Sequence, residues 1–456
     1  SRVRNITVRA AVVIRAMCLM TDPDQLESAT ATTESPSSSA LQPEAADCWN
    51  LVVIGGGAAG FMAAITAAEQ GVQSVLVLEG TPELLNKVRI SGGGRCNVTH
   101  ACWDPADLVG HYPRGQRALK GVFSRFAAGD AIAWFADRGL VLIEEADGRM
   151  FPEQNRSEAV IQCLKRAALK AGVKVQTRAM VQRLSVQSEG VFLVDGRGLD
   201  QPLSAQKVML ATGGHPSGRK MAENLGHQLV PPVPSLFSLS LEASALAACS
   251  GIAVDDVGLE LKLNNQRFRH VGRVLITHRG LSGPATLRLS AFAARALHGS
   301  RYRGELRVDW SAGLGRSGVE QRLKQWRQEQ ARRTLAAAKP FDHFPRRLWQ
   351  AFLMLAGADG ERRWAELPVK SERRLVEILC AQPLSIQGRG PFGEEIVTAG
   401  GVDLGEVNLA TMESRRCPGL YLAGELLDVD GVTGGFNFQA CWSGGWLAGQ
   451  SIALAD

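Results

Sequence analysis

The chain has 456 residues, of which 45% are hydrophobic and 21% are charged, and its formal net charge at pH 7 is +6. This composition predicts a folded protein of about three domains, and the net charge by itself is too small to argue for a nucleic-acid partner. Nine cysteines without a C-x-x-C pair and eight histidines without metal-ligand spacing predict neither a metal site nor a disulfide framework. No run of about 18 apolar residues occurs, so we expect no membrane span and a cytoplasmic protein.

The first segment, residues 1–46, becomes rich in Ser, Thr, Ala and Pro after Met20. Arg15 interrupts its one apolar patch, which argues against a secretory signal. We expect this segment to be disordered and unrelated to the chemistry. Met20 is a candidate for the natural start of the protein.

A glycine-rich turn follows directly on a strand-like run. Residues 50–54 lead into Gly55-Gly-Gly57-Ala58-Ala59-Gly60, which is followed by a helical pattern at 61–70 and a second apolar run at 74–78. Glu79 ends that run 19 residues after Gly60, close to the roughly 20 expected for an acid that binds a ribose diol. Strand, turn, helix, strand and acid together predict a dinucleotide-binding βαβ unit.

Each glycine of this turn has a physical role in such a unit. Gly55 permits the tight turn, Gly57 lets backbone N–H groups approach a pyrophosphate, and Gly60 lets helix and strand pack closely. The N-terminus of the helix supplies partial positive charge for the phosphates. The alternative interpretation is an ordinary glycine-rich turn in an α/β protein.

The middle of the chain alternates between helical and extended patterns. Residues 86–99 are too glycine-rich for a regular element and predict a loop whose backbone approaches something flat or charged. Pro231-Pro-Val-Pro234 marks a domain boundary, after which residues 235–277 resemble a small antiparallel or barrel-type β domain. Helices are predicted at 129–138, 156–171, 316–339, 346–356 and 372–381, and strands at 173–177, 179–186, 191–194 and 207–212.

The last part of the chain returns to α/β character. Residues 396–401 and 419–425 are predicted strands that run into glycine turns, and residues 439–453 form a final helix. A nucleotide fold that begins near residue 50, is interrupted, and ends at the last helix is typical of a flavoprotein that binds FAD with both parts of the chain. The predicted domains are a disordered segment at 1–46, an FAD-binding part at 47–234, a β-barrel-like insertion at 235–315, a helical insertion at 316–385 and a second FAD-binding part at 386–456.

Five segments together resemble the flavoprotein family that includes aminoacetone oxidase and the BaiN-type NAD(P)/FAD-dependent oxidoreductases of bacteria. They are Val53-Ile-Gly55-Gly-Gly57-Ala-Ala-Gly60, Ser91-Gly-Gly-Gly-Arg-Cys-Asn97-Val-Thr99, Leu210-Ala-Thr-Gly-Gly214, Thr277-His278-Arg-Gly-Leu-Ser282-Gly-Pro284, and Gly424-Glu-Leu-Leu-Asp428-Val-Asp430-Gly-Val-Thr-Gly434-Gly435-Phe-Asn437-Phe-Gln439. The resemblance covers about residues 50–456. It implies an α/β fold in which a doubly wound, Rossmann-like FAD-binding domain is interrupted by a small β-barrel and a helical subdomain.

The resemblance also implies cofactor-binding roles for particular residues. The glycine turn would take the pyrophosphate, Glu79 the adenosine ribose, and the backbone of Val181 the adenine. The 91–97 loop would line the cofactor, and the last glycine turn would lie against the ribityl chain and the isoalloxazine ring. The implied residues are Gly55, Gly57, Ala58, Ala59, Gly60, Glu79, Gly94, Arg95, Asn97, Val181, Gly213, Gly214, Gly424, Glu425, Gly434, Gly435, Asn437 and Phe438.

Two departures from the family pattern concern the substrate end of the cofactor. Phe436-Asn-Phe438-Gln439 stands where the family more often has Tyr-Asn-Leu-Gln, so a hydroxyl is lost and a neighbour is enlarged. This leaves room for a substrate other than aminoacetone. Glu425 stands where many flavoproteins have Asp, so its contact with the ribityl chain is a weaker expectation than those of the glycines.

Catalytic residues are hard to identify from the sequence because the flavin itself performs the electron transfer. Cys96 and His278 are weak candidates, and structural packing is the favoured interpretation of both. Arg95 could pair with phosphate or flavin, or form a surface ion pair. Asp428 and Asp430 could be caps or turn formers instead of cofactor contacts.

The sequence therefore predicts an FAD-dependent oxidoreductase that moves electrons between a small organic substrate or NAD(P)H and an acceptor such as oxygen. NAD(P)H is a possible donor, although no second G-x-G-x-x-G occurs. One alternative is a flavin-containing RNA-modifying or RNA-associated protein, motivated by the basic stretch at 295–374. Another is a flavin-binding module without turnover. The substrate and the oligomeric state are left open.

Overall fold

The computed structural model describes residues 48–187, 189–242, 245–390 and 397–455. The expected disorder of residues 1–46 lies outside the described residues, as does Ile396 of the predicted strand at 396–401.

Strands are found throughout the described ranges. They are β1 (Trp49–Ile54), β2 (Val75–Leu78), β3 (Thr99–His100), β4 (Leu142–Glu144), β5 (Arg149–Pro152), β6 (Lys174–Gln176), β7 (Met180–Val186), β8 (Phe192–Arg197), β9 (Leu203–Leu210), β10 (Leu229–Ser235), β11 (Leu239–Leu241), β12 (Ala253–Leu263), β13 (Gln266–Thr277), β14 (Gly280–Ser282), β15 (Gly304–Asp309), β16 (Gln382–Arg389), β17 (Val397–Val402), β18 (Val407–Asn408), β19 (Glu413–Ser414) and β20 (Leu420–Leu422).

The α-helices alternate with these strands. They are α1 (Ala58–Glu69), α2 (Asn86–Gly94), α3 (Pro105–Leu108), α4 (Gln116–Phe123), α5 (Ala128–Ala136), α6 (Ser157–Lys170), α7 (Pro216–Asn224), α8 (Pro284–Phe292), α9 (Ala294–Gly299), α10 (Gly315–Glu329), α11 (Arg346–Leu355), α12 (Val369–Ala381) and α13 (Phe436–Leu454). Short 3-10 helices lie at Val109–His111, Ala245–Cys249, Trp364–Glu366, Leu404–Glu406 and Gly424–Leu426.

The centre of the FAD-type domain is a mixed sheet in which the five strands β20-β9-β1-β2-β6 are parallel and the outer strands are antiparallel. Within the described ranges its strand order is β18-β19-β20-β9-β1-β2-β6, and β8 joins β7 to β9 on the side. β1 is parallel to both β2 and β9, with Val53 opposite Val77 and Met209. The strand is a continuous apolar run because helices cover both faces of a sheet of this kind. The predicted doubly wound α/β fold is confirmed.

The insertion contains the predicted barrel. In the described part of the chain it is closed by β11-β14-β13-β12-β15-β16, all antiparallel. The insertion has a hydrophobic core separate from that of the sheet domain. The last barrel strand, Gln382–Arg389, crosses the boundary that the sequence predicted between residues 385 and 386.

The proline-rich segment that marked the predicted boundary is itself a strand. Pro231, Pro232 and Pro234 lie in β10, which pairs antiparallel with β17 and has a register shift between Val230 and Val233. Prolines are tolerated here because the pair has only these two strands and an irregular register. The chain leaves the sheet domain just after this ribbon and returns at its other strand.

The prediction of one helix at 316–339 was wrong in length. Helix α10 ends at Glu329, and the chain beyond it pairs with another segment of the insertion. Leu335 N donates to Arg362 O at 2.8 Å, and Trp364 N donates to Arg333 O at 3.0 Å. Tertiary backbone pairing therefore replaces the helical hydrogen bonds that the amphipathic pattern had suggested.

Candidate active site

A cavity of about 350 Å³ opens at the carboxyl edge of the parallel sheet, where β1 runs into the glycine turn. Both distant parts of the chain line it, as the FAD prediction requires. Its lining residues are Ile54, Gly55, Gly56, Gly57, Ala58, Ala59, Leu78, Glu79, Gly80, Thr81, Glu83, Leu85, Asn86, Lys87, Val88, Ala179, Met180, Val181, Ala211, Thr212, Gly213, His215, Ser217, Ala423, Gly424, Glu425, Phe438 and Cys441. We call this cavity the cofactor groove.

The three glycines of the turn meet different surroundings. Gly55 has φ +115°, and a Cβ there would overlap the carbonyl oxygen of Ala211. A Cβ at Gly60 would overlap the carbonyl oxygen of Gly55, so this glycine lets α1 pack on β1. A Cβ at Gly57 would meet no atom within 4 Å. The space in front of Gly57 belongs to the groove.

The N-terminus of α1 faces the groove without a protein cap. Gly57 is its N-cap residue, no side chain caps the helix, and no acidic residue lies in its first turn. Ala58 and Ala59 follow in the first turn and line the groove. The free N–H groups and the positive end of the helix dipole form a site for an anion such as a pyrophosphate.

Glu79 lies at the end of β2, beside the glycine turn. Its Oε2 accepts a hydrogen bond from Gly56 N at 2.9 Å, and its Oε1 accepts from Thr81 N and Thr81 Oγ1, both at 2.8 Å. These bonds fix the carboxylate at the edge of the groove. The remaining lone pairs of its two oxygens are the acceptors that a ribose diol requires.

Val181 lies on the far side of the glycine turn from the last helix. It is buried, it lines the groove beside Ala179 and Met180, and it pairs with Gly196 just before a register shift in the β7–β8 ladder. On the other wall Gly213 lines the groove, whereas Gly214 lies behind it. A Cβ on Gly214 would approach the carboxylate of Glu425 at 3.3 Å.

Glu425 connects the two parts of the chain across the groove. Its Oε1 accepts a hydrogen bond from Thr398 N at 2.9 Å, and its Oε2 forms an ion pair with Lys87 of α2. Gly424 packs against Ala59, since a Cβ on Gly424 would lie 3.2 Å from that of Ala59. Gly424 and Glu425 are therefore next to the N-terminus of α1.

The Gly434–Gly435 turn does not line the groove but lies one layer behind it, against the strand formed by Thr99 and His100. Gly435 has φ +89°, and a Cβ there would meet the carbonyl group of Thr99 at 2.7 Å. His100 Nδ1 lies 3.1 Å from Gly434 O. Asn97, with its amide oriented so that both atoms have partners, donates to Thr99 O at 2.9 Å and accepts from Gly435 N at 3.1 Å.

Residues of the last helix have two different environments. Phe438 lines the groove and stacks on Trp442, with ring centroids 5.7 Å apart. Asn437 points the other way and bridges the backbone of Gly431, accepting from its N–H at 2.8 Å and donating to its carbonyl oxygen at 2.9 Å. Asn437 therefore shapes the turn, and the ring of Phe438 faces the groove.

Four other predicted residues lie outside the groove. Arg95 forms an ion pair with Glu145, donates to Asn155 Oδ1 at 2.6 Å and lies over the ring of Phe151. Cys96 is fully buried, and burial raises the pKa of its thiol to about 12. His278 is exposed in the turn between β13 and β14. Gly94, at the end of α2, is exposed beside Arg95.

The 91–97 segment is more regular than the sequence indicated. α2 extends to Gly94, but Ser91, Gly92 and Gly93 have non-helical backbone angles that kink it. Gly92 approaches Asn97 N closely, since a Cβ there would lie 3.1 Å away. The segment turns back on itself, so that Asn97 and Thr99 lie against the Gly434–Gly435 turn.

Lys87 and Cys441 line the groove but were not singled out from the sequence. Lys87 lies in the 86–99 segment but before its glycines. Cys441 lies one helical turn after Asn437 in an apolar run. Burial raises the pKa of the Cys441 thiol to about 12, with a further contribution from the charge of Glu425. The helical spacing of Cys441 from Phe438 was the one signal that could have identified it.

The groove fits the adenosine and pyrophosphate parts of a dinucleotide. It combines open space at Gly57, an uncapped helix N-terminus and the carboxylate of Glu79 at its edge. Its far end reaches Phe438 and Cys441 on the last helix. Together with the interrupted α/β fold, this defines the FAD-binding class of oxidoreductases.

Residues 49–451 match the family described as the HI0933-like protein Rossmann domain, and the chain belongs to this family. It is 31% identical to the 3-dehydro-bile acid delta(4,6)-reductase of Clostridium scindens, over 88% of this chain and 98% of the relative. It is 28% identical to the ribosomal RNA dihydrouridine synthase of Escherichia coli, over 89% of this chain and 98% of the relative. The protein is an FAD-dependent oxidoreductase, so a flavin-binding module without turnover is set aside.

A solved structure of similar fold is the 3-ketosteroid delta1-dehydrogenase of Sterolibacterium denitrificans in complex with 1,4-androstadiene-3,17-dione. The two share 12% sequence identity with a TM-score of 0.51, over 90% of this chain and all of the other. At this identity the similarity concerns the fold alone. In the described part of this chain, no helix is long and apolar enough to cross a membrane. No group of three or more His, Cys, Asp or Glu side chains among the described residues could hold a metal ion.

Proposed function

We propose that this enzyme uses electrons from NAD(P)H, passed through bound FAD, to reduce a carbon–carbon double bond conjugated to a carbonyl group in a small organic molecule. One relative is named as a delta(4,6)-reductase and the other as a dihydrouridine synthase. Each name describes a reaction in which two hydrogens are added across a carbon–carbon double bond near a carbonyl group. The shared chemistry supports the reaction class better than it supports either substrate.

The observation that carries the proposal is the continuity of the cofactor groove. It runs from Val181 past Gly57 to Phe438, so two parts of the chain more than 350 residues apart in sequence line one cavity. A dinucleotide that follows this path has its adenosine near Val181 and its other end near the last helix. The substrate would then approach from the side of the barrel.

When bound, FAD supplies the hydride chemistry. The residues of this chain would bind and orient it: the N–H groups of Ala58 and Ala59 at the pyrophosphate, and Glu79 at the ribose. The N-terminus of α13, with no acidic residue in its first turn, stabilises negative charge near it.

Anaerobic reduction of the bound flavin tests the donor. We expect the purified protein to be yellow and NADH or NADPH to bleach it, whereas a panel of amines, including aminoacetone, leaves it oxidised. Adding 2-cyclohexenone without oxygen should then restore the colour and yield cyclohexanone in equal amount. Reoxidation by air alone, with no enone consumed, would contradict a double-bond reductase and favour an oxidase. A colourless protein that FAD does not stabilise would contradict the whole proposal.

A second candidate is reduction of uridine in RNA, and one feature of the insertion favours it. The bridge between Thr334 and Arg363 brings two arginine pairs together, at residues 332–333 and 362–363. All four side chains are exposed, and none forms an ion pair with another described residue. Two relatives of similar length are named as ribosomal RNA dihydrouridine synthases.

A gel shift with a ribosomal RNA transcript separates the two candidates. If RNA is the substrate, binding should weaken steeply between 50 and 200 mM salt, as expected when several cationic side chains contact phosphates. Changing all four arginines to glutamine should lower the affinity by roughly tenfold or more and flatten the salt dependence. The matched control changes Arg316 and Arg374, which are exposed but paired with Glu320 and Glu377. No shift at low salt would exclude this candidate.

A further inference from the structure

A group of cationic and aromatic side chains lies where the insertion meets the FAD-binding domain, outside the cofactor groove. It consists of Arg288 of α8, His270 of β13, His111 of a 3-10 helix and His100 of β3. Two of these residues come from the insertion and two from the sheet domain. We call them the arginine–histidine cluster.

The cluster is held together against the start of the last helix. Arg288 Nη2 lies 3.2 Å from His111 Nδ1. The ring of His111 stacks on Phe436 with centroids 4.1 Å apart, and His100 stacks on the same ring at 4.7 Å. Phe436 lies two residues before Phe438, which lines the groove. The cluster is therefore near the end of the groove where the reactive part of a dinucleotide is expected, although none of its four residues lines the groove.

Arg288 carries a charge that no neighbour neutralises. It is half-buried, its Nε is buried without a hydrogen-bond partner, and within the described ranges it has no carboxylate partner. The negative charges of Asp147 and Glu144 act to raise the pKa of His100. Asp147 also forms an ion pair with Arg149. A buried donor without a hydrogen-bond partner costs free energy, and an anionic ligand beside the guanidinium would supply that partner.

The neighbouring histidines do not share this charge at neutral pH. Burial, together with the charge of Arg288, lowers the pKa of His111 to about 4 and that of His270 to about 4. Both imidazoles are therefore neutral at pH 7 and can donate or accept hydrogen bonds. A single fixed cation flanked by neutral rings suits one negatively charged oxygen.

We propose that the arginine–histidine cluster is the substrate site, and that Arg288 binds an oxyanion of the substrate with His111 beside it. This oxygen belongs either to a carboxylate or to a ketone that becomes negative during reduction. In the second case a hydride that originates from NAD(P)H adds to the β-carbon, the π electrons move to the oxygen, and the α-carbon of the enolate then takes a proton from water. NAD(P)H loses the two electrons, and the guanidinium stabilises the oxygen while it is charged. The reaction rests on the proposed function, but the oxyanion site does not.

Calorimetry with the FAD-loaded protein tests the carboxylate source without any turnover. Benzoate is titrated as the anionic probe and benzamide as its uncharged counterpart. If the substrate supplies a carboxylate, Arg288→Met should weaken benzoate binding by about tenfold or more, as for the loss of a hydrogen bond to a charged group, and leave benzamide unaffected. Arg288→Lys, which keeps the charge but loses the planar fork, should weaken it less.

Kinetics with 2-cyclohexenone test the ketone source. If the wild type does not bind benzoate, Arg288→Met should lower kcat by about tenfold or more at unchanged KM, because the charge develops only during the reaction. Arg273→Met is the matched control for both arms. Arg273 is exposed on the outer face of the same strand as His270 and loses the same charge. Melting temperature and FAD absorbance confirm that each variant is folded and loaded.

The outcomes separate the site from the reaction. If Arg288→Met behaves like Arg273→Met in both arms, the proposed site is wrong. If benzoate binding depends on Arg288 but no enone is reduced, the oxyanion site stands and the proposed function fails. If the wild type does not bind benzoate and both variants reduce enones equally well, the function stands and the site is elsewhere.

Discussion

At the scale of single residues, the glycines of the first turn have different structural roles although they look alike in the sequence. Gly55 and Gly60 have no room for a side chain because backbone carbonyl groups lie against them, whereas Gly57 faces open space. Substitution at the first two would disturb the fold. Substitution at Gly57 would fill the groove, so folding and cofactor binding can be separated.

Gly57→Val should give a folded protein that does not bind FAD. The backbone of Gly57 has φ −93°, which valine adopts, and its side chain would occupy the position expected for the pyrophosphate. We expect FAD affinity to fall more than about tenfold, or 1.4 kcal/mol, while the melting temperature without FAD stays near that of wild type. Absorbance of the purified protein and calorimetric titration with FAD measure this. Full FAD occupancy in the variant would contradict the predicted position of the cofactor.

The histidines of the cluster predict a stability that depends on pH. In the unfolded chain a histidine has a pKa of about 6.5, whereas burial and Arg288 lower those of His111 and His270 to about 4. Between these values the unfolded state binds more protons, so stability is fully present above pH 6.5 and is lost as the pH falls toward 4. His111→Asn should make this decline shallower in urea denaturation, whereas the exposed His298→Asn should leave it unchanged. Equal slopes in all three proteins would argue against a neutral buried His111.

At the scale of elements, the two helices that bring the cofactor segments together pack through small residues. Gly445 and Gly449 of α13 are one turn apart and face α1. A Cβ on Gly445 would lie 2.5 Å from Ala59 O, and one on Gly449 would lie 2.6 Å from Ala63 O. This close approach sets the position of the N-terminus of α1, and with it the anion site.

Gly445→Ala should destabilise the protein by about 1–3 kcal/mol, the usual cost of overpacking a core. It should also weaken FAD binding, because Ala59 lies in the first turn of α1 and lines the groove. Gly121→Ala is the matched control, since Gly121 lies on the exposed face of α4 and an added Cβ meets nothing within 4 Å. The control should be neutral or stabilising by up to about 1 kcal/mol. Guanidinium unfolding of both variants compares the two costs.

At the scale of the whole molecule, a buried ion pair joins the FAD-binding domain to its insertion. Arg114 pairs with Asp430, which is completely buried, and also donates to Ala291 O of α8 at 2.7 Å. Ser235 Oγ, at the end of β10, donates to Asp430 Oδ2 at 2.7 Å. Near the surface Arg295 binds both oxygens of Asp428 at 2.8 Å. Asp428 therefore binds the insertion directly, and Asp430 is linked to it through Arg114.

Arg114→Met should cost about 3–5 kcal/mol of folding free energy, because it leaves the carboxylate of Asp430 buried without its partner. Arg114→Met combined with Asp430→Asn should recover part of this loss, since the remaining group is then neutral. Denaturant unfolding of the single and double variants measures the difference. If the double variant is no more stable than Arg114→Met, the cost has another origin, such as the lost contact with Ala291.

The sequence by itself determined the fold class, the βαβ unit, the barrel insertion and the family, because these depend on local patterns of apolar residues and glycines. Several residues that it predicted in the first segment, including Glu79 and Val181, line the groove. The positions of these residues follow from strand ends and turn geometry. Local sequence patterns are therefore sufficient to predict where these residues lie.

Only the tertiary structure decided which distant side chains meet. Asn97 reaches Gly435, Lys87 pairs with Glu425, and Arg288 lies against His111. Such contacts depend on how the two domains pack, and no local pattern encodes that packing. The helix predicted at 316–339 fails for the same reason, since backbone pairing with a distant segment outweighs a helical pattern that is favourable only locally.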